Sequence, residues 1–143
     1  MQGFEREMRG PLGVVSLELP LISNLDVWAN IALIMQYHEN LPKAEAERLV
    51  LEYLGRFGME GIARRRNSAL SSEERFYAML LRAAVLRDAI VLIDRPFLIM
   101  PHHKEARWLY EALDAIADFY IRCYIFDYVW NRDRYGTNYE AEN

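Results

Sequence analysis

The chain has 143 residues, about one domain by length and enough for a real core. Hydrophobic content of 52% beside 27% charged residues excludes a disordered chain, and a net charge of -4 gives no footing for nucleic acid or an anionic membrane surface. A single cysteine, Cys123, excludes a disulfide framework within one chain and suits a reducing compartment. Residues 1–10 read as a polar leader, whose charged start lacks the apolar region of a signal peptide. No apolar run reaches transmembrane length.

Residues 12–17 read as a short buried strand that Pro20 ends. Asn24 or Asp26 suits the cap of a helix over about 27–37, with Trp28, Ile31, Ala32 and Met35 on one face. Pro42 suits the first position of the next helix, whose apolar stripe is Leu49, Val50, Tyr53, Leu54 and Phe57. Gly58 fits its end. Arg64, Arg65 and Arg66 lie in a turn-rich stretch and read as a solvated loop. Ser71 and Glu74 have the spacing of a capping box, opening a helix to about Arg87.

The apolar run from Ala89 to Ile93 reads as a buried strand delivering Asp94 and Arg95 at its tip. Residues 102–119 carry Trp108, Leu109, Leu113 and Ile116 at helical spacing. Residues 122–130 read as a last strand, with Tyr124, Phe126, Tyr128 and Trp130 on one face by period two. The end, from Asn131, reads as polar and frayed.

Two of these elements carry a resemblance. Leu70-Ser71-Ser72-Glu73-Glu74-Arg75 followed by the strand ending Asp94-Arg95-Pro96 resembles the signature helix and Walker B strand of ABC ATPases. The stretch from Pro20 to Leu33 resembles that family's segment after the Q-loop. The run from Tyr37 to Pro42, with Phe97, is most similar to the phospholipid-trafficking (Mla-type) branch.

The resemblance implies an α/β fold: a truncated P-loop NTPase domain over 1–143, with a small parallel sheet and a helical insertion over about 26–87. It also implies a strand order of Q-loop strand, Walker B strand, switch-histidine strand, leaving residues 122–130 at an edge.

The chemical motifs depart from the family. No Gly here is followed by Lys, so the sequence holds no phosphate-cradling Gly-x-x-x-x-Gly-Lys-Ser/Thr. Leu17 stands at the Q-loop glutamine, Ser72 and Glu73 at the signature glycines, Arg95 at the catalytic glutamate and Phe126 at the switch histidine.

Arg is permanently cationic and accepts no proton at neutral pH. Loss of a positioned general base alone costs about 10²–10⁴ in rate. A carboxylate about 4–5 Å from a phosphate charge is opposed by roughly 3–4 kcal/mol at an effective dielectric near 20. No catalytic residue, cofactor or metal ligand is therefore expected.

Plainer roles suit the remaining polar residues. Asp94 is expected to pair with Arg95 or cap the following turn. His102 and His103 read as an exposed pair at a helix start, sharing no face. Cys123 reads as a small core residue.

The function expected is that of a non-catalytic accessory or regulatory subunit, binding other proteins in a lipid-transport ABC system. The alternatives are a split ATPase completed by another chain, and a freestanding homo-oligomeric domain. Its partner-binding residues are expected at Pro20, Leu21, Ile22, Leu25 and Trp28, where the resemblance implies a permease dock, and at Tyr124, Phe126 and Tyr128 on the edge strand. Partners are a second copy or a complete ABC ATPase and permease. The expected location is cytoplasmic, reaching the inner membrane through partners.

Overall fold

The structure, a computed structural model, describes residues 10–138. Three strands form one parallel sheet in the order β1-β2-β3: β1 is Leu12–Val15, β2 Ala89–Asp94 and β3 Tyr120–Phe126. The register sets Val14 beside Leu92 and Leu92 beside Tyr124. β2 is central and almost wholly buried, as an unbroken apolar run in a parallel sheet requires. The α/β class and the strand order expected from the resemblance are both present.

Between β1 and β2 come helices α1 (Val27–Glu39), α2 (Lys43–Gly55) and α3 (Ser72–Ala84). The short α4 (Pro96–Ile99) and α5 (Arg107–Ala115) lie between β2 and β3. The chain then winds in 3-10 turns over Val129–Asn138, broken at Gly136.

α3 seats against β1 and β2. The approach is close at Gly13, where a Cβ would stand 1.9 Å from the Ala83 carbonyl oxygen. Gly13, Val15, Val91 and Ile93 therefore share the face toward α3. Alternation along the strands gives the opposite face to Leu12, Val14, Ile90, Leu92, Tyr124 and Phe126. Of these only Ile90 is fully buried; Leu12 and Phe126 are about half exposed.

Several element ends differ from the sequence expectation, each for a local reason. β1 stops at Val15 because Leu19 N–H bonds the Ser16 carbonyl and turns the chain. Pro42 is the N-cap of α2, one place before the first helical residue. Asp26 caps α1 by position alone, without a side-chain bond.

α3 ends at Ala84 rather than Arg87, because residues 86–89 form a turn with Asp88 at φ 62°. α5 begins at Arg107, not His102. Pro101 disfavours helical backbone in Met100, which sits at φ -121°, ψ 66°. His102 and His103 lie in a turn that the His103 N–H closes on the Met100 carbonyl at 3.3 Å, with their rings 4.4 Å apart, and His103 stacks on Trp108.

The largest correction falls on the last strand, which runs over Tyr120–Phe126 instead of 122–130. Asp127 accepts the N–H of Tyr128 on its own carboxylate at 2.7 Å and turns the chain out of the sheet. Tyr128 and Trp130 therefore share no strand face with Tyr124. They stack on each other, 4.2 Å apart.

Nor is the end from Asn131 frayed over the described residues. Asn131 and Tyr135 are buried. The Tyr135 hydroxyl donates to Asp127 at 2.5 Å, and its ring meets Phe97 edge-on. Residues 139–143 lie outside the described residues, as do 1–9 of the expected leader.

The core spans both layers. Phe76 of α3 and Phe97 of α4 each meet Trp108 of α5 edge-on. Burial pushes the Cys123 thiol up to about 12, so it stays protonated and unreactive, as the core reading expects.

Candidate functional site

Ligand sites in open α/β sheets lie at the carboxyl ends of the strands. Here that edge gathers Ser16 after β1, Asp94 and Arg95 at the end of β2, and Asp127 and Tyr128 after β3. The apolar run of β2 drives its own backbone into the core and carries Asp94 to the rim.

Arg95 then forks Asp94. Its Nε donates to Oδ1 and its Nη2 to Oδ2, both at 3.0 Å. The Ser16 hydroxyl adds a bond to Oδ2 at 3.2 Å. The Arg95 bonds hold the Asp94 carboxyl below the usual range; Ser16 assists, and partial burial opposes them. Asp94 pairs with Arg95, as the sequence led one to expect.

Arg95 makes two further bonds nearby. Nη1 donates to the Tyr128 hydroxyl at 3.0 Å, and Nη2 to Glu18 at 3.2 Å. The guanidinium also lies over the Tyr128 ring, 5.6 Å from its centroid. These partners, Asp94 first, raise its pKa above an already high value.

Its backbone N–H donates to the Phe126 carbonyl at 2.7 Å while its φ stands at 47°. The left-handed region is disfavoured for a side chain of this kind. It is held here because backbone and side chain are both tied down. Chemically, the group is an ion-paired clasp across the ends of three strands. Asp94 faces a cation already in place, and Arg95 accepts no proton.

The opening of α3 is also occupied. Ser71 Oγ accepts the Glu74 N–H at 3.1 Å, and the Glu74 carboxylate accepts the Ser71 N–H at 2.9 Å, completing the capping box expected from sequence. Glu74 further pairs with Arg65 at 3.4 Å. Glu73 is exposed in the same first turn. The three arginines of the 64–66 run are each ion-paired, Arg64 with Glu47 and Arg66 with Asp26. Among the described residues no group of three or more His, Cys, Asp and Glu is placed to hold a metal.

The expected partner-binding residues separate in the structure. Pro20 and Ile22 are exposed and line a groove of about 610 Å³ beside β1. Leu21 is 3% exposed and belongs to the core. Leu25 and Trp28 are half-buried outside the groove lining; Lys43 Nζ lies over the Trp28 ring. On the other side, Tyr124 is half-buried on β3, Phe126 is half exposed at its end, and Tyr128 lies beyond it in the clasp.

Residues that sequence reasoning missed shape the groove. Leu19, Leu33 and Tyr37 expose its apolar walls. Arg82 donates to the carbonyls of Leu19 and of Pro20, the latter at 2.9 Å, and burial lowers its pKa. Asn30 is 3% exposed and fastens the loop: its Oδ1 accepts the Ile22 N–H at 2.7 Å, and its Nδ2 donates to the carbonyls of Ile22, Leu25 and Asp26. The available signal was an amide on the apolar face of α1, between Val27 and Ile31.

No protein-family model matches the chain. Among curated proteins it is similar to a spermidine/putrescine import ATP-binding protein of Trichormus variabilis, 35% identical over 88 residues, covering 62% of this chain and 23% of that protein. It is also similar to a putrescine transport ATP-binding protein of Escherichia coli, 27% identical over 113 residues, covering 79% and 30%. A molybdate/tungstate import ATP-binding protein of Archaeoglobus fulgidus is 32% identical over 90 residues, covering 63% and 36%.

These likenesses support the ABC ATPase family. The matched stretch spans about a quarter to about a third of those relatives' length. None of the three names concerns a lipid, so the Mla-type branch gains no support from them. No helix among the described residues is long and apolar enough to cross a membrane.

Proposed function

We propose that this chain is a non-catalytic ABC ATPase-like accessory or regulatory subunit that works by binding other proteins. The observation that carries the reading is Arg95 bound to both carboxylate oxygens of Asp94. Resemblance assigns those positions to a Mg²⁺-site aspartate and a catalytic base. An internal cation now neutralises the first, and the second accepts no proton. Glu73 adds an exposed carboxylate where the family brings a phosphate, while Glu74 is held in the capping box and paired with Arg65.

The docking surface in this reading is the groove at Pro20 and Ile22, which takes a short helix of a membrane permease. Apolar walls at Leu19, Ile22 and Leu33 suit the apolar stripe of such a helix. The subunit then acts on the cytoplasmic side and reaches the membrane through that partner. Lipid as the cargo of the system rests on the run from Tyr37 to Pro42 and on Phe97 alone.

Calorimetric titration of the chain with ATP–Mg²⁺ tests the non-catalytic half. The expected result is no binding tighter than about 1 mM, roughly 4 kcal/mol. Tighter binding, or phosphate release above the blank, overturns it and favours a split ATPase completed by another chain. A photo-crosslinking residue at Ile22 tests the docking half. Capture of a polytopic membrane protein, lost when Leu33 is changed to Lys, is expected. Capture of soluble proteins alone counts against the dock.

A further inference from the structure

α5 opens without the usual features of a helix start. Ala106 stands at its N-cap with no side-chain bond, and its first turn holds no acidic residue. The Ala106 N–H donates to the Arg134 carbonyl at 2.9 Å, and the Leu109 and Tyr110 N–H groups both turn to the Ala106 carbonyl. The N–H groups of Arg107 and Trp108 have no acceptor among the described residues.

The side-chain charges at this end have the wrong sign for it. Lys104 and Arg107 are exposed cations, His102 is exposed beside them, and Glu105 is the one acid in residues 101–107. Arg107 reaches Glu111 only at 3.9 Å, an exposed and weak pair. A helix N-terminus carries a partial positive charge and is stabilised by acids, so these cations repel it.

A separate observation points the same way. Trp108 is 7% exposed, and its indole Nε1 is buried with no hydrogen-bond partner among the described residues. A helical side chain leans toward the N-terminus of its helix. The stack with His103, 5.3 Å between ring centroids, holds the indole against the turn that leads into α5. A buried donor without an acceptor is costly. Three N–H groups at one helix end therefore lack the same partner, a negatively charged oxygen.

We propose that the N-terminus of α5 binds a phosphate-sized oxyanion. The backbone N–H groups of Arg107 and Trp108 hold it, Lys104 and Arg107 supply counter-charge, and the Trp108 indole is a further donor. His102 offers an N–H in either protonation state. The His103 ring covers the indole, so it swings aside as the anion reaches Nε1. A tetrahedral oxyanion suits this end because its several oxygens accept from donors that point in different directions. The site shares no residue with the clasp or the groove, so it stands independently of the permease dock and of the nucleotide reading.

Amide-correlation NMR of the full chain tests it, with sodium phosphate titrated near neutral pH against sodium chloride at matched ionic strength. Phosphate is expected to give saturable shifts at the Arg107 and Trp108 amides and at the Trp108 indole N–H, with a Kd below about 10 mM. The indole signals of Trp28 and Trp130 should stay in place. Methyl phosphate distinguishes the source of the group. Binding of both compounds marks the end of a phosphate ester as a ligand, and binding of inorganic phosphate alone marks the free ion.

Arg107→Glu puts an acid into the first turn at an exposed position and is expected to weaken binding by about tenfold or more with an unchanged fold. Lys104→Gln removes one counter-charge and is expected to weaken it by roughly threefold. Equal shifts with chloride overturn the proposal. So does a linear response that never saturates, the mark of an adventitious ion only. Saturable shifts that miss Trp108, or an Arg107→Glu variant that binds as tightly as the native chain, overturn it as well.

Discussion

Arg95 grips both oxygens of Asp94 while its own backbone stands in the left-handed region at φ 47°. The residue before Pro96 must turn the chain from β2 into α4, and a glycine would do so without strain. Arginine is tolerated there because its side chain ties Asp94, Glu18 and Tyr128 together at once. The bend and the ion pair thus depend on each other.

A pH dependence follows. Asp94 titrates below its ordinary 3.8 because the folded state favours its charged form. The unfolded chain holds that proton more tightly, so this contribution is full above the ordinary value and is lost as pH falls through the native one. Arg95→Gln removes the main cause. The melting midpoint of the native chain should exceed that of Arg95→Gln at neutral pH, and the gap should narrow below about pH 4. A gap constant down to pH 2 would mean that the pair adds no stability.

The capping box gives a second expectation. Ser71→Ala leaves the Glu74 N–H without its side-chain acceptor. Such a loss costs about 0.5–2 kcal/mol. For a chain of this size that lowers the melting midpoint by roughly 2–6 °C. Thermal unfolding followed by circular dichroism reads it directly. Ser72→Ala, one place inside the helix, should stay within about 0.5 kcal/mol of the native chain.

Gly13 gives a third. A Cβ there meets the backbone oxygen of Ala83 at 1.9 Å, and backbone in a packed helix has nowhere to go. Gly13→Ala should force α3 off β1 and cost more than the roughly 1–3 kcal/mol typical of overpacking. Gly61→Ala meets nothing within 4 Å and needs no unusual φ, so it serves as the neutral control. Equal denaturation midpoints for the two would show that the helix–strand approach is looser than described.

Much of this architecture was legible in the chain because it is written in local chemistry. Ser71 and Glu74 announce α3 through spacing alone, and five apolar residues before Asp94 announce β2. Residues decided by distant partners were not legible. The sequence of residues 122–130 alternates well enough for a long strand, yet the strand stops at Phe126 because Asp127 captures the N–H of its neighbour and the hydroxyl of Tyr135. Period two records which side chains are large, not where a carboxylate interrupts the backbone. Leu21 lies in the stretch where the resemblance implies a dock, but it is buried in the core while its neighbour Ile22 faces outward with its N–H held by Asn30.

The last expectation concerns that loop. Asn30 satisfies the Ile22 N–H and three carbonyls from one buried amide. Asn30→Ala leaves the Ile22 N–H without its acceptor, while the Ile22 and Asp26 carbonyls keep the backbone N–H groups of Leu25 and residue 30, and a buried polar group left unpaired costs about 1–3 kcal/mol. The effect should be local as well as global. Leu21 keeps its pull toward the core, but the path of residues 20–26 is no longer fixed, so Pro20 and Ile22 lose their common orientation. Limited proteolysis should cut within residues 19–25 of Asn30→Ala well before it cuts the native chain. Asn30→Asp separates the two contributions, since it keeps the acceptor for Ile22 and removes the donors. It should protect the loop only in part, and an equal cleavage rate for all three chains would show that Asn30 does not hold the groove.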